Sequence, residues 1–288
     1  MSAHSHSHSN RNTGDPLMDT AAHHNLETVI APWVSTFKSF LRSAAAKHNG
    51  QSSTAALDGP VDESNPAPSY PFTLSTVSVS EFTDERTGET KSFVRPHART
   101  CMFRGFAFTP NSGILTVTTD KRMAKFDQIV RPLTHGAFEA CFYFENDLVQ
   151  FRIAGSCKLA FLNHSGEVYL SDPAKGTEEP ADDSVASEFY KSWTVLSPAM
   201  KLSFCKPPPG AEFSQEHFEQ LEKVEKATNN VRNGEEIPEE FMAEGKKNFV
   251  LIMCSPELVD FTNVSGIGQR ILFERAGEYV WTFKEICP

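Results

Sequence analysis

The segment ACFYFENDLVQFRIAG, residues 140–155, contains the pattern that decides the fold. Two apolar runs in it flank the turn-forming residues 145–147, which are Glu, Asn and Asp. Apolar runs rich in aromatic and β-branched residues on either side of such a turn are typical of a β-hairpin. In the second run, Gln150 and Arg152 alternate with apolar residues, so a strand is expected to place both polar side chains on one face.

The same texture continues on both sides of this hairpin, in short runs separated by turn formers. Further strands are predicted at residues 72–79, 92–108, 114–119, 157–162, 168–170, 249–254, 270–274 and 279–286. The chain also contains 23 phenylalanines, which suit the interior of a β-sheet protein. This many strands, interrupted by a few helices, predicts a mainly β protein, a β-barrel with helical decoration.

Other segments differ from this β texture. Residues 27–48 have Trp33 and Phe37 at helical spacing and are predicted to form an amphipathic helix. Residues 171–188 contain six acidic residues and one lysine, which predicts a mobile loop. Ser214 is a candidate N-cap for a second helix. The predicted organisation is a disordered tail at 1–24, one domain at 25–288, and surface insertions at 171–188 and 214–247.

Composition excludes several functional classes. The formal net charge is −10, so nucleic acid and anionic membranes are poor candidates for partners. No apolar run is long enough to span a bilayer, so no membrane association is expected. The six cysteines are widely spread, without a C-x-x-C or zinc-like spacing. We therefore expect no metal site and a reducing, cytoplasmic location.

One region stands out against the acidic background. Residues 95–131 contain seven basic and two acidic residues, a local charge of +5. Within it, Asp120 is a candidate N-cap for a helix that follows a strand, and Lys121, Arg122 and Lys125 lie within one turn of its start. A helix N-terminus with such side chains can bind a phosphate. An ordinary solvated helix start is the alternative for this segment alone.

Six motifs in order resemble one branch of the pyridoxamine 5′-phosphate oxidase family of FMN-binding split barrels. Each motif is weak alone, but their collinear order is specific, and together they cover roughly residues 30–210 and 248–288. The motifs are APW at 31–33, RTCMFRGF at 99–106, TDKRMAK at 119–125, QFRIAG at 150–155, WTVLS at 193–197, and a tail with Val259-Asp260, Arg270, Trp281 and Pro288.

The resemblance implies a split barrel that binds FMN noncovalently at a homodimer interface. It assigns cofactor binding to Arg99, Thr100, Cys101, Met102, Arg104, Thr118, Thr119, Arg122, Lys125 and Gln150, with Ser197 and Arg270 supplied by the partner subunit. Arg99 and Arg104 are five positions apart, so on a straight strand they would point to opposite faces. A bend or strand end near Gly105 would be needed to bring them to one ligand.

The chain also departs from the true oxidases of the family. Where those have an R-L-H-[DS]-R run that contacts the pyridoxal substrate, this chain has residues 266–270, Gly-Ile-Gly-Gln-Arg. Only the last arginine, Arg270, is retained. The resemblance therefore supports FMN binding better than vitamin B6 oxidation. It leaves three hypotheses: an FMN-dependent oxidoreductase of unidentified substrate, a flavin-binding module without turnover, and a true pyridoxamine 5′-phosphate oxidase with an altered substrate clamp.

Overall fold

The structure is a computed structural model that describes residues 31–49, 70–277 and 280–288, without the side chains of 46–49 and Pro132. The tail predicted at 1–24 lies outside these residues. The helices are α1 (Pro32–Asn49), α2 (Ala124–Val130), α3 (Asp183–Thr194), α4 (Pro198–Ser203), α5 (Gln215–Arg232) and α6 (Glu239–Asn248). The strands are β1 (Tyr70–Thr83), β2 (Thr90–Phe103), β3 (Leu115–Asp120), β4 (Ala137–Phe144), β5 (Val149–Leu162), β6 (Val168–Asp172), β7 (Thr177–Pro180), β8 (Phe249–Asn263), β9 (Gln269–Arg275) and β10 (Trp281–Ile286).

Most of the predicted elements are present. The hairpin read from residues 140–155 is β4 and β5, joined by a 3-10 turn at Glu145–Asp147. Phe151 and Ile153 on β5 are fully buried, whereas Arg152 is exposed, as the alternation predicts. The run at 157–162 is the second half of β5 rather than a separate strand.

The segment 171–188 is a correction, because it is not a loop. It contains β7, which pairs with β6, and the first part of α3. Asp182 caps α3 by accepting a hydrogen bond from the backbone N–H of Val185, and Val185 is itself buried. The acidic composition marks an exposed surface, but the apolar positions among the acids are spaced for a helix.

All strand pairs in the described chain are antiparallel, and two long strands organise the sheet. Its order is β10-β9-β8-β5-β4-β1-β2, with β3 on β8 and with β6 on β5. β5 and β8 pair along nearly their whole length. On its other side, each of them pairs with two different strands. The first half of β5 pairs with β4 and its second half with β6, whereas the first half of β8 pairs with β3 and its second half with β9. The sheet coils around a core without closing, which is the predicted split barrel.

A bulge marks the place where the two long strands change neighbours. The register between them shifts at Ala154 and Gly155, so β8 has one more residue than β5 there. A Cβ atom on Gly155 would lie 2.1 Å from the backbone oxygen of Ser255. Only glycine therefore permits this close approach of the two backbones.

The core is unusually aromatic. Phe37 of α1 is fully buried, and its ring makes edge contacts with Phe103, Phe142 and Phe151 from three strands. Helix α1 therefore packs its apolar face against the core of the barrel. A second cluster, around Phe249 of β8, packs β8 against α3 and α4 on the other side of the sheet. No helix in the described chain is long and apolar enough to cross a membrane.

Candidate functional site

Several of the predicted site residues fall into two groups on opposite faces of the sheet, and the others lie outside both groups. Arg99 on β2 lies opposite the buried Leu74 of β1, so its side chain leaves the sheet on the core side. Its neighbour Thr100 leaves on the other face. From Thr100 the register continues across β1 and β4 to Arg152 on β5 and Asp260 on β8.

The core-side group is built around Arg99. Its guanidinium donates hydrogen bonds to Thr76 Oγ1 at 2.7 Å, to the backbone oxygen of Leu74 at 3.2 Å, and to Gln128 Oε1. Gln128 also accepts from the Thr76 hydroxyl at 2.7 Å, and both polar side chains are buried. Sequence reasoning missed Gln128 and Thr76. The available signal was a glutamine on the inner side of the short helix α2.

Lys125 belongs to the same group. Its ammonium donates to Thr119 Oγ1 at 2.8 Å and lies 3.0 Å from Met123 Sδ. Burial lowers the pKa of Lys125, and the positive charge of Arg99 lowers it further, against the opposing effects of Cys101 and Asp120. Burial raises the pKa of the Cys101 thiol, while Lys125 and Arg99 act in the opposite direction. Arg99, Cys101 and Lys125 therefore share one electrostatic environment.

This arrangement fits a bound phosphate. In the part of the chain that the structure describes, neither Arg99 nor Lys125 has a carboxylate within ion-pair distance. Two half-buried cations without a counter-ion are costly unless an anion binds them. A phosphate supplies the missing charge and accepts hydrogen bonds from both.

The helix-entry hypothesis is wrong in its details. Asp120 is the last residue of β3, whereas α2 begins only at Ala124 and has Met123 at its N-cap position. The carboxylate of Asp120 instead binds Arg122, whose Nε and Nη2 lie 2.9 and 2.7 Å from its two oxygens. Arg122 Nη2 also donates to the backbone oxygen of Phe204 at 2.9 Å. Arg122 therefore connects β3 to α4 and does not face the Arg99 group.

Lys121 is directed elsewhere as well. Its ammonium lies 4.2 Å from the centre of the Phe161 ring, in a cation–π arrangement. Of the three basic residues expected around one anion, only Lys125 lies with the Arg99 group. The strand pairing of Asp120 with Phe249 explains the difference, because β3 continues through the residue that was expected to cap the helix.

Arg104 does not join the Arg99 group. Strand β2 ends at Phe103, and Gly105 follows with a φ of 115°, so the expected break in the strand is present. Burial alone lowers the pKa of Arg104, without a contribution from a charged neighbour. Its Nε atom is buried and has no hydrogen-bond partner among the described residues.

The outer-face group is a row across three strands. Gln150 on β5 pairs with Thr262 on β8, which pairs with Arg270 on β9. The guanidinium of Arg270 binds both oxygens of Asp260, and these hydrogen bonds and the charge of Asp260 raise the pKa of Arg270. Arg152 lies 3.6 Å from the same carboxylate. Asp260 therefore fixes the direction of the Arg270 side chain at the outer surface.

The remaining predicted residues have mixed placements. Ser197 begins α4, where its hydroxyl accepts a hydrogen bond from the backbone N–H of Met200. The structure gives Ser197 no hydrogen bond to either group within the described residues. Thr100 and Met102 lie on β2, which is the edge strand at one end of the sheet order. Alternate backbone groups of an edge strand are open to a ligand.

A cavity of about 460 Å³ borders the core-side group. It lies between β3, α4, α5 and the proline-rich connection from α4 to α5. Thr118 and Lys125 line its inner wall, and Phe213 and His217 line its outer wall. This cavity could not be predicted from the sequence, because its walls come from two segments far apart along the chain, residues 118–125 and 200–221.

Comparison with known proteins supports the resemblance read from the motifs. Residues 30–160 match a family model described as "Pyridoxamine 5′-phosphate oxidase, FMN-binding domain". An uncharacterized protein of Saccharomyces cerevisiae is 22% identical over 270 residues, which cover 67% of this chain and 88% of the yeast protein. The matched family model is one of FMN-binding domains, and it supports FMN as the cofactor.

Two solved structures share the fold. A pyridoxamine 5′-phosphate oxidase-related, FMN-binding protein from Nostoc punctiforme matches with a TM-score of 0.56 and 24% identity, over 90% of this chain and 99% of the other. PhzG from Burkholderia lata, solved in complex with tetrahydrophenazine-1-carboxylic acid, matches with a TM-score of 0.51 and 15% identity, over 91% and 98%. The predicted split-barrel fold is confirmed.

Proposed function

We propose that this chain, which has the FMN-binding split-barrel fold of the pyridoxamine 5′-phosphate oxidase-like proteins, binds FMN at sites shared by two copies and acts as an FMN-dependent oxidoreductase. The proposal rests on one observation: two cations, Arg99 and Lys125, lie near each other, and neither has a carboxylate partner among the described residues. FMN contains the phosphate that such a pair binds, and its isoalloxazine ring supplies hydride chemistry when it is bound.

Each residue of the core-side group has a defined task in this proposal. Lys125 and Arg99 bind the phosphate, and Thr119 orients the Lys125 ammonium through the hydrogen bond already present. Gln128 and Thr76 hold the Arg99 guanidinium in place before the cofactor arrives. Because these side chains are preorganised, less conformational entropy is lost when FMN binds.

The two-group arrangement supports a homodimer. Arg99 and Lys125 are on the core side of the sheet, whereas Gln150 and Arg270 are on its outer face. A single FMN cannot touch both groups of one chain when the sheet lies between them. In a two-fold dimer, the outer face of one copy can complete the core-side site of the other, and the symmetry repeats this site twice.

The outer-face group then contacts the ring end of the cofactor. The Gln150 amide offers a donor and an acceptor to a heterocycle, and Arg270 offers a fixed positive charge. Asp260 keeps Arg270 oriented by its two hydrogen bonds. Ser197 and the β2 backbone near Thr100 and Met102 are further proposed contacts, which follow from the family resemblance.

The substrate remains a separate matter from the cofactor. The positions of the family's substrate-binding arginine and histidine are occupied here by residues 266–268, of which Gly266 and Gly268 have positive φ angles. Glycine has no side chain to bind a substrate phosphate. We therefore propose a substrate other than pyridoxamine 5′-phosphate.

The test is spectroscopic. The purified protein is expected to show flavin absorbance, or to quench the fluorescence of added FMN, and the bound flavin should bleach with a reductant and recover with an oxidant. A protein that remains colourless and leaves FMN fluorescence unchanged would contradict the proposal. Bound FMN that no reduced nicotinamide or candidate substrate bleaches would favour a binding module without turnover.

A further inference from the structure

The 460 Å³ cavity is lined by Lys125 but not by Arg99, and it has the size of a small-molecule site. Its inner wall is β3, where Thr118 faces the cavity while Thr119 turns towards the core and holds Lys125. Its outer wall belongs to the helical layer of α4 and α5. A ligand here would lie beside the phosphate end of the proposed FMN site, and not over its ring.

The walls of the cavity are largely apolar. Met200 from α4 and Leu221 from α5 contribute side chains, and so do Phe204, which follows α4, and three consecutive prolines, 207–209, in the connection between the helices. Phe213 closes the outer side and is 69% exposed, which is unusual for a phenylalanine. A flat apolar ligand would cover this ring and the prolines.

Two polar groups in the outer wall can bind an acid. Lys206 lines the cavity, is exposed, and has no carboxylate within ion-pair distance among the described residues. His217 is held by its Nδ1 atom, 2.9 Å from the backbone oxygen of Glu212. A carbonyl oxygen can only accept, so Nδ1 donates. The other ring nitrogen, Nε2, has no hydrogen-bond partner within the described chain and is available to a ligand.

The one carboxylate in the cavity wall does not oppose this. Asp120 lines the inner wall, but both of its oxygens are bound by Arg122, at 2.9 and 2.7 Å. Its charge is thereby compensated locally. The cavity keeps an excess of positive charge from Lys206 next to an apolar surface.

We propose that this cavity is a second ligand site, for a small aromatic acid whose ring packs on Phe213 and the prolines and whose acidic group binds Lys206 and His217. The inference rests on the proposed function only in placing FMN on the Arg99 side of Lys125. It adds a ligand that lies beside the cofactor and is separate from the hydride-transfer position.

The experiment uses the full chain loaded with FMN and titrated with 2-naphthoate by calorimetry. Binding is expected, and the neutral analogue 2-naphthylmethanol should bind at least fivefold more weakly, because it lacks the charge. Lys206→Ala, His217→Ala and Phe213→Ala should each weaken naphthoate binding by about two- to tenfold, the effect of one contact. Lys223→Ala, an exposed lysine of α5 outside the cavity, is the matched control and should leave binding unchanged.

Three results would overturn the inference: equal affinity for the acid and the alcohol, binding that is insensitive to all three cavity substitutions, or displacement of naphthoate by FMN. The last result would assign the cavity to the cofactor itself. The same titration of the protein without FMN separates this inference from the proposed function. If FMN does not bind but naphthoate still does and responds to the variants, only the proposed function fails.

Discussion

Arg270 and Asp260 form a two-pronged ion pair between β9 and β8, with Nε 2.9 Å from Oδ1 and Nη2 2.8 Å from Oδ2. The Asp260 side chain is almost completely buried, while Arg270 reaches the surface. The pair therefore fixes the orientation of the Arg270 side chain. The carboxylate is fixed in the sheet, and the arginine that it orients is presented on the outer face beside Gln150.

Asp260→Asn tests whether this ion pair orients Arg270 for FMN binding. The amide keeps the shape but loses the charge, so Arg270 and Arg152 both lose their shared partner. We expect FMN affinity to fall by about three- to tenfold through the misoriented arginine, and unfolding to become easier by about 1–3 kcal/mol. FMN fluorescence titration and urea unfolding measure the two effects. Glu274→Gln, which removes a surface pair with Lys284, should change neither by a comparable amount. Unchanged affinity would contradict the proposed role of Arg270.

Lys125→Met tests the phosphate site. The substitution removes the ammonium and keeps much of the buried chain length, and we expect FMN to bind about ten- to a hundredfold more weakly. Riboflavin, which lacks the phosphate, should lose far less affinity. Lys121→Met is the matched control, because Lys121 lies over the Phe161 ring rather than in the Arg99 group. An equal loss for FMN and riboflavin would show that Lys125 acts on the fold and not on the phosphate.

The same substitution has an expected pH signature in the protein without FMN. Burial lowers the pKa of Lys125 in the folded state below its ordinary value of 10.5, so the folded state disfavours the ammonium. Above the lowered pKa and below 10.5, the unfolded chain binds more protons at this site, and stability rises with pH. The wild-type protein should therefore gain stability relative to Lys125→Met as pH rises through this window. Urea unfolding at several pH values measures the difference, and a wild type that loses stability relative to Lys125→Met as pH rises would contradict the assignment.

A mixing experiment tests whether the site is shared between subunits. Lys125→Ala and Arg270→Ala should each impair FMN binding alone. If two chains build each site, a mixed dimer has one doubly altered site and one intact site, so random mixing should restore about a quarter of the sites. Light scattering should show a dimer throughout. Failure of the mixture to recover any high-affinity binding, although the chains exchange, would place both residues in a site within one chain.

Gly155→Ala tests the bulge between the long strands. The new Cβ would lie 2.1 Å from the Ser255 oxygen, so one backbone must move. We expect a destabilisation of about 1–3 kcal/mol or more, measured by urea unfolding. Gly277→Ala is the control, since a Cβ there meets nothing closer than 3.6 Å. Equal stability of the two variants would mean that the bulge can relax without cost.

The sequence predicted the parts of the site that depend on strand alternation. Gln150 and Arg152 lie on the outer face because Phe151 and Ile153 must be buried, and this follows from a period of two. The hairpin and the helix cap at Ser214 were equally local patterns, and both are present. The collinear order of the motifs indicated the family resemblance, and the resemblance predicted the split-barrel fold and FMN as the cofactor.

The errors arose where tertiary pairing decided between local alternatives. Asp120 satisfies a helix-capping rule, but β3 gains backbone pairing with β8 at the same position, and Arg122 takes the carboxylate. Gln128 was missed, because its role depends on Arg99, which is 29 positions away. The cavity beside Lys125 was missed for a similar reason, because its walls come together only in the folded chain.

The extra residue of β8 at the bulge also changes which residues of that strand point into the core, from even-numbered to odd-numbered positions. Before the bulge, the even-numbered Val250, Ile252 and Cys254 pack into the barrel core, whereas after it the odd-numbered Val259 and Phe261 do so. If β8 paired regularly here, without the bulge at the exposed Glu257, the same residues would alternate without a break and the two faces of the second half would be exchanged. Asp260 would then point into the barrel core and Val259 out of it. The exposed Glu257, the extra residue at the bulge, therefore determines that Asp260 and Arg270 lie on the outer face.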